Sequence, residues 1–544
     1  MSRQVALSRI KANFTAILLI LVIITPSTIV YANTQVNSTL LGEYIKFDGP
    51  KIVGNEKQAT HLKFKEYVMG TVVGSLDAVN HVKSIAKATT NVVKVKDGYS
   101  TKFLMHKDNL ELLKNIKGLK TVALNKIPEL EVASYPKEEL SSEALPDMFI
   151  VREFTGVNQV NSTFGLEGEG VRVAVIDTGV EYAHPDLRGA LDYVILSGGF
   201  REPLVLDADE SHVMLMQGFG KNATGWINTK GTSALIIEPW LTGVPVTEDY
   251  YVGSITSASG VYRFCLTDLY FPDDSEYNFG VLLVDPTSPG NYTVAYIDFN
   301  MNADFTDDKP IYYDGDRVAE DLDNTGYYAG VLGGFFYDIG FYFTYPGDFM
   351  RGWDLSGNYL SIFYDFYGHG TSCAGSIASR GKELYYIPGY GFKTLPGIAP
   401  KAKIVGVKAL WYGNTELSML WAAGFNEQVS EDGVRMVYSG SKRADLISNS
   451  WGISYQWYDY YAFGYDMESM LINGLSVPGF LDPSFPGIII VQAAGNGGFG
   501  YGTVTAPGAA SFAITVGAST ATHFYSFAGY GAEASVDDVV SWSA

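Results

Sequence analysis

A set of short apolar runs separated by glycine-rich turns limits the possible folds more than any other feature of the chain. These runs lie at residues 171–176, 404–407, 445–448 and 487–491. Runs this short and continuous are typical of strands buried on both faces of a parallel sheet, because a sheet with one solvated face alternates apolar and polar residues. Parallel strands need crossovers, and helical candidates lie between the runs, for example around residues 418–433. The sequence therefore predicts an α/β fold with a doubly wound, mostly parallel sheet.

Two other segments depart from this pattern. Residues 33–148 contain many lysines and no arginine, and they alternate strand and helix candidates, which predicts a small α+β module. Residues 190–360 are rich in Tyr, Phe and Gly and contain short alternating segments, which predicts a β-rich insertion within the α/β domain. The candidates in the first segment are strands at 66–73, 101–105 and 119–124 and helices at 75–88 and 108–116.

Composition sets the broad class of protein. The chain has 544 residues, of which 47% are hydrophobic and 18% charged, so it can bury a large core and contain several folded units. Its formal net charge of -21 argues against a nucleic-acid partner held through phosphate contacts. The two cysteines, Cys265 and Cys373, cannot form a disulfide framework, so the fold must rely on its core and on any bound metal ions.

The first 32 residues have the composition of a secretory signal peptide. Basic residues precede an apolar run at residues 16–24, and small residues around Ala32 resemble a cleavage site. The run is too short to favour a membrane span, although an uncleaved anchor remains the alternative. We therefore expect a secreted, extracellular protein, which could also be associated with the cell surface, and no stable membrane span.

Three polar residues stand where an α/β sheet places its chemistry, outside the carboxyl ends of the strands. Asp177 closes the first apolar run, and Asn496 follows the last one in a glycine-rich turn. His369 lies between two glycines at the start of a helix rich in small residues. Taken singly, each has an ordinary explanation as a turn former or a structural histidine. The glycines beside His369 favour function, because they allow another backbone to approach closely.

Taken together and in this order, the three residues resemble those of the subtilisin-like serine proteases, the subtilases. The resemblance implies that Asp177 orients His369 and stabilises its imidazolium, and that His369 is the general base and then the general acid. It also implies that Asn496 stabilises the oxyanion of the tetrahedral intermediate. The matching segments are residues 173–187, 368–375, 444–452, 493–498 and 506–519.

The same resemblance predicts a substrate-binding segment. Ser450, Trp451 and Gly452 match the stretch whose backbone pairs with an extended peptide, and Gly495 is grouped with them beside the oxyanion residue. Gly452 would leave room for the P1 side chain. Trp451 has two interpretations, either as a wall of the P1 pocket or as a buried core residue.

The nucleophilic serine of the family has no convincing match in the chain. Gly-Thr-Ser occurs at Ser233 and at Ser372, but the first precedes His369 in the chain and the second belongs to the histidine motif. In the family, the serine follows the oxyanion residue by a longer stretch than remains after Asn496. We therefore expect the nucleophile beyond residue 544 and interpret the chain as truncated before it.

Asp177 and His369 are 192 residues apart, many more than is usual in the family. This spacing resembles the pyrolysin and tripeptidyl-peptidase branches, which carry large inserts. The resemblance implies a secreted serine endopeptidase made as a zymogen, with residues 33–148 as an inhibitory, chaperone-like pro-segment and 149–544 as an incomplete catalytic domain. Its partners would be polypeptide substrates and its own pro-segment. The alternatives are a tripeptidyl-peptidase-like exopeptidase, or an inactive protease-like binding protein if the chain truly ends at residue 544.

No cofactor is expected for catalysis, but the insertion contains a candidate calcium loop. Oxygen-bearing side chains recur at alternate positions there, as in calcium loops of the EF type. Two residues weaken the match, because Ala303 replaces the usual turn glycine and Lys309 stands where a glutamate is expected. A solvated acidic turn is the alternative. The candidate ligands are Asp298, Asn300, Asn302, Asp304 and Asp307.

Overall fold

The structure is a computed structural model, and it forms two compact units, Met1–Asn125 and Lys126–Ala544. The predicted signal segment lies outside the described residues. None of the helices within those residues is both long enough and apolar enough to cross a bilayer. The described residues are 67–89, 92–95, 98–124, 148–196, 198–208, 212–237, 241–270, 276–320, 329–336, 350–387, 390–410, 414–430, 433–452, 464, 466–496 and 503–519.

The N-terminal unit is an antiparallel sheet with helices packed on it. Its described elements are β1 (Tyr67–Gly74), α1 (Leu76–Ile85), β2 (Ala88–Thr89), β3 (Val93–Val95), β4 (Gly98–His106), a 3-10 turn (Lys107–Asn109), α2 (Leu110–Leu113) and β5 (Leu119–Leu124). Strand β1 lies between β4 and β5, and β4 also pairs with β2 and β3. The Ser75 hydroxyl caps α1 by accepting from the Ala78 N–H at 3.3 Å. The predicted strands and helices occur in the predicted order, and the structure adds the short strands β2 and β3 before β4.

The described part of the larger unit begins with α3 (Met148–Phe154) and α4 (Val157–Phe164), followed by β6 (Arg172–Asp177) and α5 (Pro185–Arg188). The strands of the inserted region, in chain order, are β7 (Tyr193–Ile195), β8 (Arg201–Pro203), β9 (Leu206–Asp207), β10 (Val213–Leu215), β11 (Gln217–Gly220), β12 (Trp226–Ile227), β13 (Ser233–Ile237), β14 (Leu241–Pro245), β15 (Tyr250–Tyr251), β16 (Val261–Leu266), β17 (Leu269–Tyr270), β18 (Glu276–Tyr277), β19 (Gly280–Val284), β20 (Val294–Asp298), β21 (Ile311–Tyr312), β22 (Val331–Leu332), β23 (Phe335–Phe336), β24 (Met350–Arg351) and β25 (Tyr359–Phe363). The elements after the insertion are α6 (His369–Ala378), β26 (Tyr385–Ile387), β27 (Gly391–Lys393), β28 (Lys403–Lys408), α7 (Thr415–Ala422), β29 (Phe425–Ser430), β30 (Gly433–Tyr438), β31 (Leu446–Asn449), α8 (Met467–Ser476), β32 (Ile489–Ala493) and β33 (Ile514–Val516).

The central sheet confirms the predicted α/β fold. Its order is β24-β23-β9-β28-β6-β31-β32-β33, and every neighbouring pair is parallel except β23 and β24. Alternate residues of β6 face opposite layers, so that Val175 packs in the layer of α6 and Ile176 in the layer of α7 and α8. Helices therefore cover both faces, which explains why the core strands read as continuous apolar runs.

The insertion is β-rich, as predicted, but it is not separate from the central sheet. Two five-stranded antiparallel sheets, β14-β13-β10-β25-β22 and β11-β16-β19-β20-β21, share one hydrophobic core. Three other strands of this region, β9, β23 and β24, extend the edge of the central sheet beyond β28. The insertion therefore adds strands to the domain that it interrupts.

The predicted helix around residues 418–433 is partly wrong. Helix α7 ends at Ala422, and the chain turns at Gly424, whose φ of 96° favours glycine. A side chain at Gly424 would also overlap the carbonyl oxygen of Ser441. The next residues form the antiparallel pair β29 and β30, in which Phe425 lies opposite Tyr438. The backbone reversal at Gly424 ends the helix, and cross-strand pairing sets the conformation of the hairpin after it.

Candidate active site

The structure brings Asp177 and His369 into direct contact at the carboxyl edge of the central sheet. Asp177 is the last residue of β6 and is fully buried, and His369 is the first residue of α6. The imidazole Nδ1 lies 2.8 Å from Oδ1 and 3.0 Å from Oδ2 of the carboxylate. The Asp177 Oδ1 also accepts a hydrogen bond from the Thr178 N–H at 2.7 Å. The carboxylate is thus held by its own backbone and faces the ring.

The electrostatics of the pair favour a charged imidazole. Burial lowers the pKa of His369, but the Asp177 carboxylate and the Cys373 thiol beside the ring raise it more, to about 10. The Cys373 Sγ lies 3.9 Å from the ring Nδ1. The His369 side chain keeps 30% of its surface exposed, so a reacting group can reach it. Among the described residues, Asp177, His369 and Cys373 also place ligand atoms within 4.8 Å of one another, although these are the atoms of the acid–base pair itself.

Two glycines permit this contact. Gly179 adopts a φ of 123°, and a side chain there would overlap the carbonyl oxygen of Tyr364. A side chain at Gly370 would in turn overlap the carbonyl oxygen of Gly179. The loop after β6 and the first turn of α6 therefore approach closely because neither has a Cβ at the point of contact.

Asp365 is a positioning residue that sequence reasoning missed. Its buried carboxylate accepts from the Thr178 hydroxyl at 2.7 Å, which joins it to the loop after Asp177. It also accepts from the backbone N–H groups of Tyr367 (3.0 Å), Gly368 (2.8 Å) and Thr371 (2.8 Å), and from the Thr371 hydroxyl (2.6 Å). A signal was available, because an aspartate just before a helix start satisfies the free N–H groups of the first turn.

The predicted substrate-binding and oxyanion residues follow neighbouring strands at the same edge. Ser450 comes directly after β31, which pairs with β6, and Asn496 follows β32, which pairs with β31. Because these strands are parallel, their carboxyl ends lie side by side. Asn496 is partly buried two strands away from Asp177. The sheet therefore gathers all the predicted catalytic segments along one edge.

Trp451 is a core residue, which decides between the two interpretations of the sequence. It is 2% exposed, packs against Leu410, and donates its indole N–H to the carbonyl of Ile176 at 2.9 Å. Thr505 lies against Gly452, the residue that the sequence expects to leave room for a P1 side chain. A Cβ on Gly452 would overlap the Thr505 hydroxyl oxygen, and one on Gly495 would lie 2.6 Å from it. No sequence pattern indicates that Thr505 contacts Gly452 and Gly495, because this contact forms only when the loop that contains Thr505 is folded.

The candidate calcium loop brings its predicted ligands only partly together. Asp298 is fully buried, and its carboxylate accepts from the N–H groups of Asn302 (3.1 Å) and Ala303 (2.9 Å). Ala303 takes a φ of 60°, so it fills the turn position that usually holds glycine. The Asn302 amide donates to Asp307 Oδ2 at 2.9 Å, and the amide of Asn300 lies 3.4 Å from the same atom. The Asp304 carboxylate instead accepts from its own turn.

Asp308, which is not among the ligands predicted from the sequence, belongs to this loop. Its Oδ2 atom is buried and has no hydrogen-bond partner among the described residues. Burial raises its pKa to about 8, and the nearby carboxylates of Asp298, Asp307 and Asp304 contribute to the increase. Several carboxylate oxygens with too few donors are the chemistry that a hard cation such as calcium satisfies. The residues present therefore fit such an ion.

The buried Asp186 carboxylate links two segments of the chain. It accepts from the backbone N–H groups of Lys382 and Glu383, the second at 3.1 Å, and from the Tyr385 hydroxyl at 3.0 Å. These bonds tie the start of α5 to the start of the β26–β27 hairpin. His184 caps the same helix by accepting from the Asp186 N–H at 3.1 Å.

This fold and site define a class: α/β proteins with a carboxylate–imidazole pair of the serine-hydrolase type at the carboxyl edge of the sheet. Residues 168–543 match the model of the subtilase family, Peptidase_S8. The chain therefore belongs to the subtilase family, as the motifs predicted.

Two characterised relatives are similar to the chain. Pyrolysin of Pyrococcus furiosus is 30% identical over 460 residues, which cover 75% of this chain and 30% of that protein. Serine protease AprX of Bacillus subtilis is 30% identical over 161 residues, which cover 28% of this chain and 30% of the relative. The chain thus spans about 30% of the length of each.

Among solved structures, an epidermin leader peptide processing serine protease of Staphylococcus aureus covers 84% of this chain and 70% of its own, with 14% identity and a TM-score of 0.30. The family assignment rests on the sequence matches.

Proposed function

We propose that this chain carries the acid–base and substrate-binding machinery of a secreted serine endopeptidase. The observation that supports this most is the hydrogen bond of 2.8 Å between the buried Asp177 carboxylate and the His369 ring, in a chain of the subtilase family. The partly exposed ring faces an edge where the predicted oxyanion residue, Asn496, also lies. The nucleophile would be a serine other than Ser233 and Ser372, as the order of the motifs predicts.

The proposed mechanism uses the two ring nitrogens differently. The Asp177 carboxylate accepts a hydrogen bond from the Nδ1–H group, which leaves the unprotonated Nε2 as the base. The serine hydroxyl oxygen attacks the scissile carbonyl carbon while His369 takes the hydroxyl proton. Asp177 stabilises the imidazolium that results. The imidazolium then gives that proton to the leaving amine as the C–N bond breaks. A water molecule, deprotonated by His369, then attacks the acyl carbon, and the serine leaves with that proton as the product acid is released. Asn496 donates its side-chain amide to the oxyanion, a contact worth about 3 kcal/mol in the transition state.

The test is hydrolysis of a long unfolded protein by the full-length natural protein. We expect heterogeneous internal fragments from the wild type and none from His369→Ala. Regular three-residue products would favour the tripeptidyl-peptidase alternative, and no hydrolysis by a folded wild-type protein would favour the binding-protein alternative. Labelling with a serine-directed phosphonate is a second readout, and a label on Ser233 or Ser372 would contradict the proposed nucleophile.

We also propose that the protein is made as a zymogen and exported. Support comes from the compact N-terminal unit, which has a core of its own around Val79 and Phe103, and from the signal-like first 32 residues. We expect a precursor of His369→Ala to keep residues 33–148, whereas the wild type loses them by its own cleavage. N-terminal sequencing of the exported protein checks both steps, and a wild-type protein that retains residue 33 as its N-terminus contradicts the zymogen proposal.

Calcium binding by the loop at residues 298–308 is a further proposal. It is supported by the unpartnered buried oxygen of Asp308 and by the buried carboxylate of Asp298. Asp298, Asp304, Asp307 and Asp308 would hold the ion, which would supply positive charge that stabilises the loop and takes no part in the hydrolysis. Metal analysis of the wild type against Asp298→Ala tests it, and equal calcium content would contradict it.

A further inference from the structure

A buried glutamine lies beneath the predicted substrate-binding segment. Gln492 is on β32, opposite Asn449 of β31, and its side chain has no exposed surface. Its amide nitrogen donates to the carbonyl oxygen of Trp451. Its own carbonyl oxygen is buried and has no hydrogen-bond partner among the described residues. The side chain therefore makes one useful hydrogen bond and leaves one polar atom unsatisfied.

This arrangement is costly for a core position. A buried oxygen without a donor loses its hydration and gains nothing in return, so an apolar side chain of the same shape would suit the core better. The two residues before Gln492 are Ile490 and Val491, which fit the apolar layers of the sheet. The amide at position 492 needs another explanation, and its hydrogen bond to Trp451 is the contact that could provide one.

The Trp451 carbonyl controls the orientation of Gly452. The two groups belong to one peptide unit, which is planar and trans, so the Trp451 C=O and the Gly452 N–H point in opposite directions. Fixing the carbonyl toward β32 therefore fixes the direction of the Gly452 N–H. The other side of Trp451 is held as well, because its indole N–H donates to the carbonyl of Ile176, the residue before Asp177.

We propose that Gln492 is a positioning residue that aligns residues 450–452 to pair with the backbone of an extended polypeptide substrate. It touches no substrate itself and acts through the Trp451 carbonyl. Together with the bond from Trp451 to Ile176, it connects three neighbouring strands, β32, β31 and β6, close to the catalytic aspartate. This inference rests on the proposed peptidase function.

The length of the substrate provides the test. A peptide with four residues before the scissile bond can pair with residues 450–452, whereas the ester of a single blocked amino acid cannot. In the full-length protein, Gln492→Met keeps the side-chain length and removes the donor. We expect kcat/KM for the long peptide to fall about tenfold, mostly through KM, and kcat/KM for the ester to stay within about twofold. Gln492→Ala should show the same selective loss of activity on the long peptide. This second variant replaces Gln492→Met in the test if the Met variant does not fold.

Asn449→Leu is the matched control. Asn449 is the register partner of Gln492 and is also a buried amide, but its nitrogen donates to the Met419 sulfur at 3.7 Å and not to the Trp451 carbonyl. We expect it to leave the peptide-to-ester ratio unchanged. Equal losses on both substrates in Gln492→Met, or no loss on the peptide, would overturn the inference while leaving the peptidase proposal intact. A folded wild-type protein that hydrolyses neither substrate would overturn both.

Discussion

The carboxyl edge of the central sheet and the acidic loop of the insertion both gather carboxylates, but they satisfy them in different ways. At the sheet edge, Asp177 meets a histidine 192 residues away in sequence. In the loop, Asp298 is satisfied by N–H groups four and five residues further on. The edge therefore pairs a carboxylate with a titratable partner on another element, whereas the loop surrounds carboxylates with backbone donors and with one another.

The difference explains why one region fits proton transfer and the other fits ion binding. A buried carboxylate beside an imidazole raises the pKa of the ring, as at His369. Buried carboxylates beside one another raise their own pKa values instead, as at Asp308. The first arrangement stabilises the positively charged imidazolium of His369. The second would be stabilised by a metal cation bound from solution.

We expect the greatest loss of activity from Asp177→Asn. The amide cannot stabilise the imidazolium and favours the wrong tautomer of His369, so kcat of the full-length protein should fall about 10⁴-fold. Asp298→Asn, a matched change in the insertion loop, should leave kcat within about threefold if the two regions are independent. Comparable losses in the two variants would show that the edge and the loop do not have separate roles.

The second effect concerns the Asp365 carboxylate. Asp365→Asn keeps one acceptor oxygen but cannot accept from the loop after Asp177 and from the first turn of α6 together. A small displacement of His369 costs about 10²-fold in rate, so we expect kcat to fall by that order with KM little changed. Asp354→Asn is the control, because Asp354 also accepts several hydrogen bonds, but within a turn of the insertion. A loss confined to thermal stability would contradict the positioning role.

The third effect concerns the choice of substrate. Thr505 occupies the space between Gly452 and Gly495, so the wild type should prefer small P1 side chains. In Thr505→Gly, the ratio of kcat/KM for P1 phenylalanine to that for P1 alanine should rise about tenfold or more. Thr505→Val keeps the volume and should keep the wild-type preference. An unchanged ratio in Thr505→Gly would show that P1 side chains bind elsewhere.

The fourth effect is a change in thermal stability, and its direction depends on whether calcium is present. Because burial raises the Asp308 pKa to about 8, ionising this carboxyl costs stability as the pH rises from about 4 to about 8 in the absence of a cation. Asp308→Asn should therefore raise Tm by a few degrees in chelator at pH 8, and it should lose most of the increase that calcium gives the wild type. Asp482→Asn, a change at an exposed turn, should do neither. Equal calcium responses in Asp308→Asn and the wild type would contradict the site.

The fifth and weakest effect is a displacement of the pH profile. His369 must be deprotonated to act as a base, so a raised pKa moves the rising limb of kcat/KM to alkaline pH, above the ordinary value of 6.5. Cys373→Ala removes one of the groups that raise this pKa, and the limb should move toward lower pH. Cys265→Ala, at the other cysteine, lies in the core of the insertion and should not move it. A limb that stays in place in Cys373→Ala would exclude the thiol as a cause.

The sequence predicted the central strands because they leave a local pattern, and it predicted the Asp177–His369 pair through the resemblance of the surrounding motifs to those of the subtilases. Buried parallel strands produce continuous apolar runs, and the close approach of α6 to β6 requires glycines that flank the two catalytic residues. The strands β9, β23 and β24 were not predictable, because two residues cannot display a period. Helix α7 was predicted too long, since Gly424 reverses the chain and the next residues pair as a hairpin.

The positioning residues were missed for a different reason. Thr505 and Gln492 acquire their roles from neighbours that are distant in sequence, and neither belongs to a motif that reports such contacts. Asp365 carried a local signal before the helix start, but its link to Thr178 depends on the fold. Asp308 continues the alternating spacing that suggested the loop, but it was not counted among the predicted ligands. Motifs therefore identified the residues expected to perform the chemistry, and the fold identified the residues that hold them in place.

The proposed chemistry requires Asp177 and His369 to act as one catalytic unit. A double-mutant cycle on the full-length protein tests this requirement, with kcat measured for Asp177→Asn, His369→Ala and the pair on one peptide substrate. We predict that the double variant is no slower than His369→Ala alone, because the aspartate acts only through the imidazole. Losses that multiply, or a His369→Ala variant with wild-type kcat, would contradict the proposed catalytic unit.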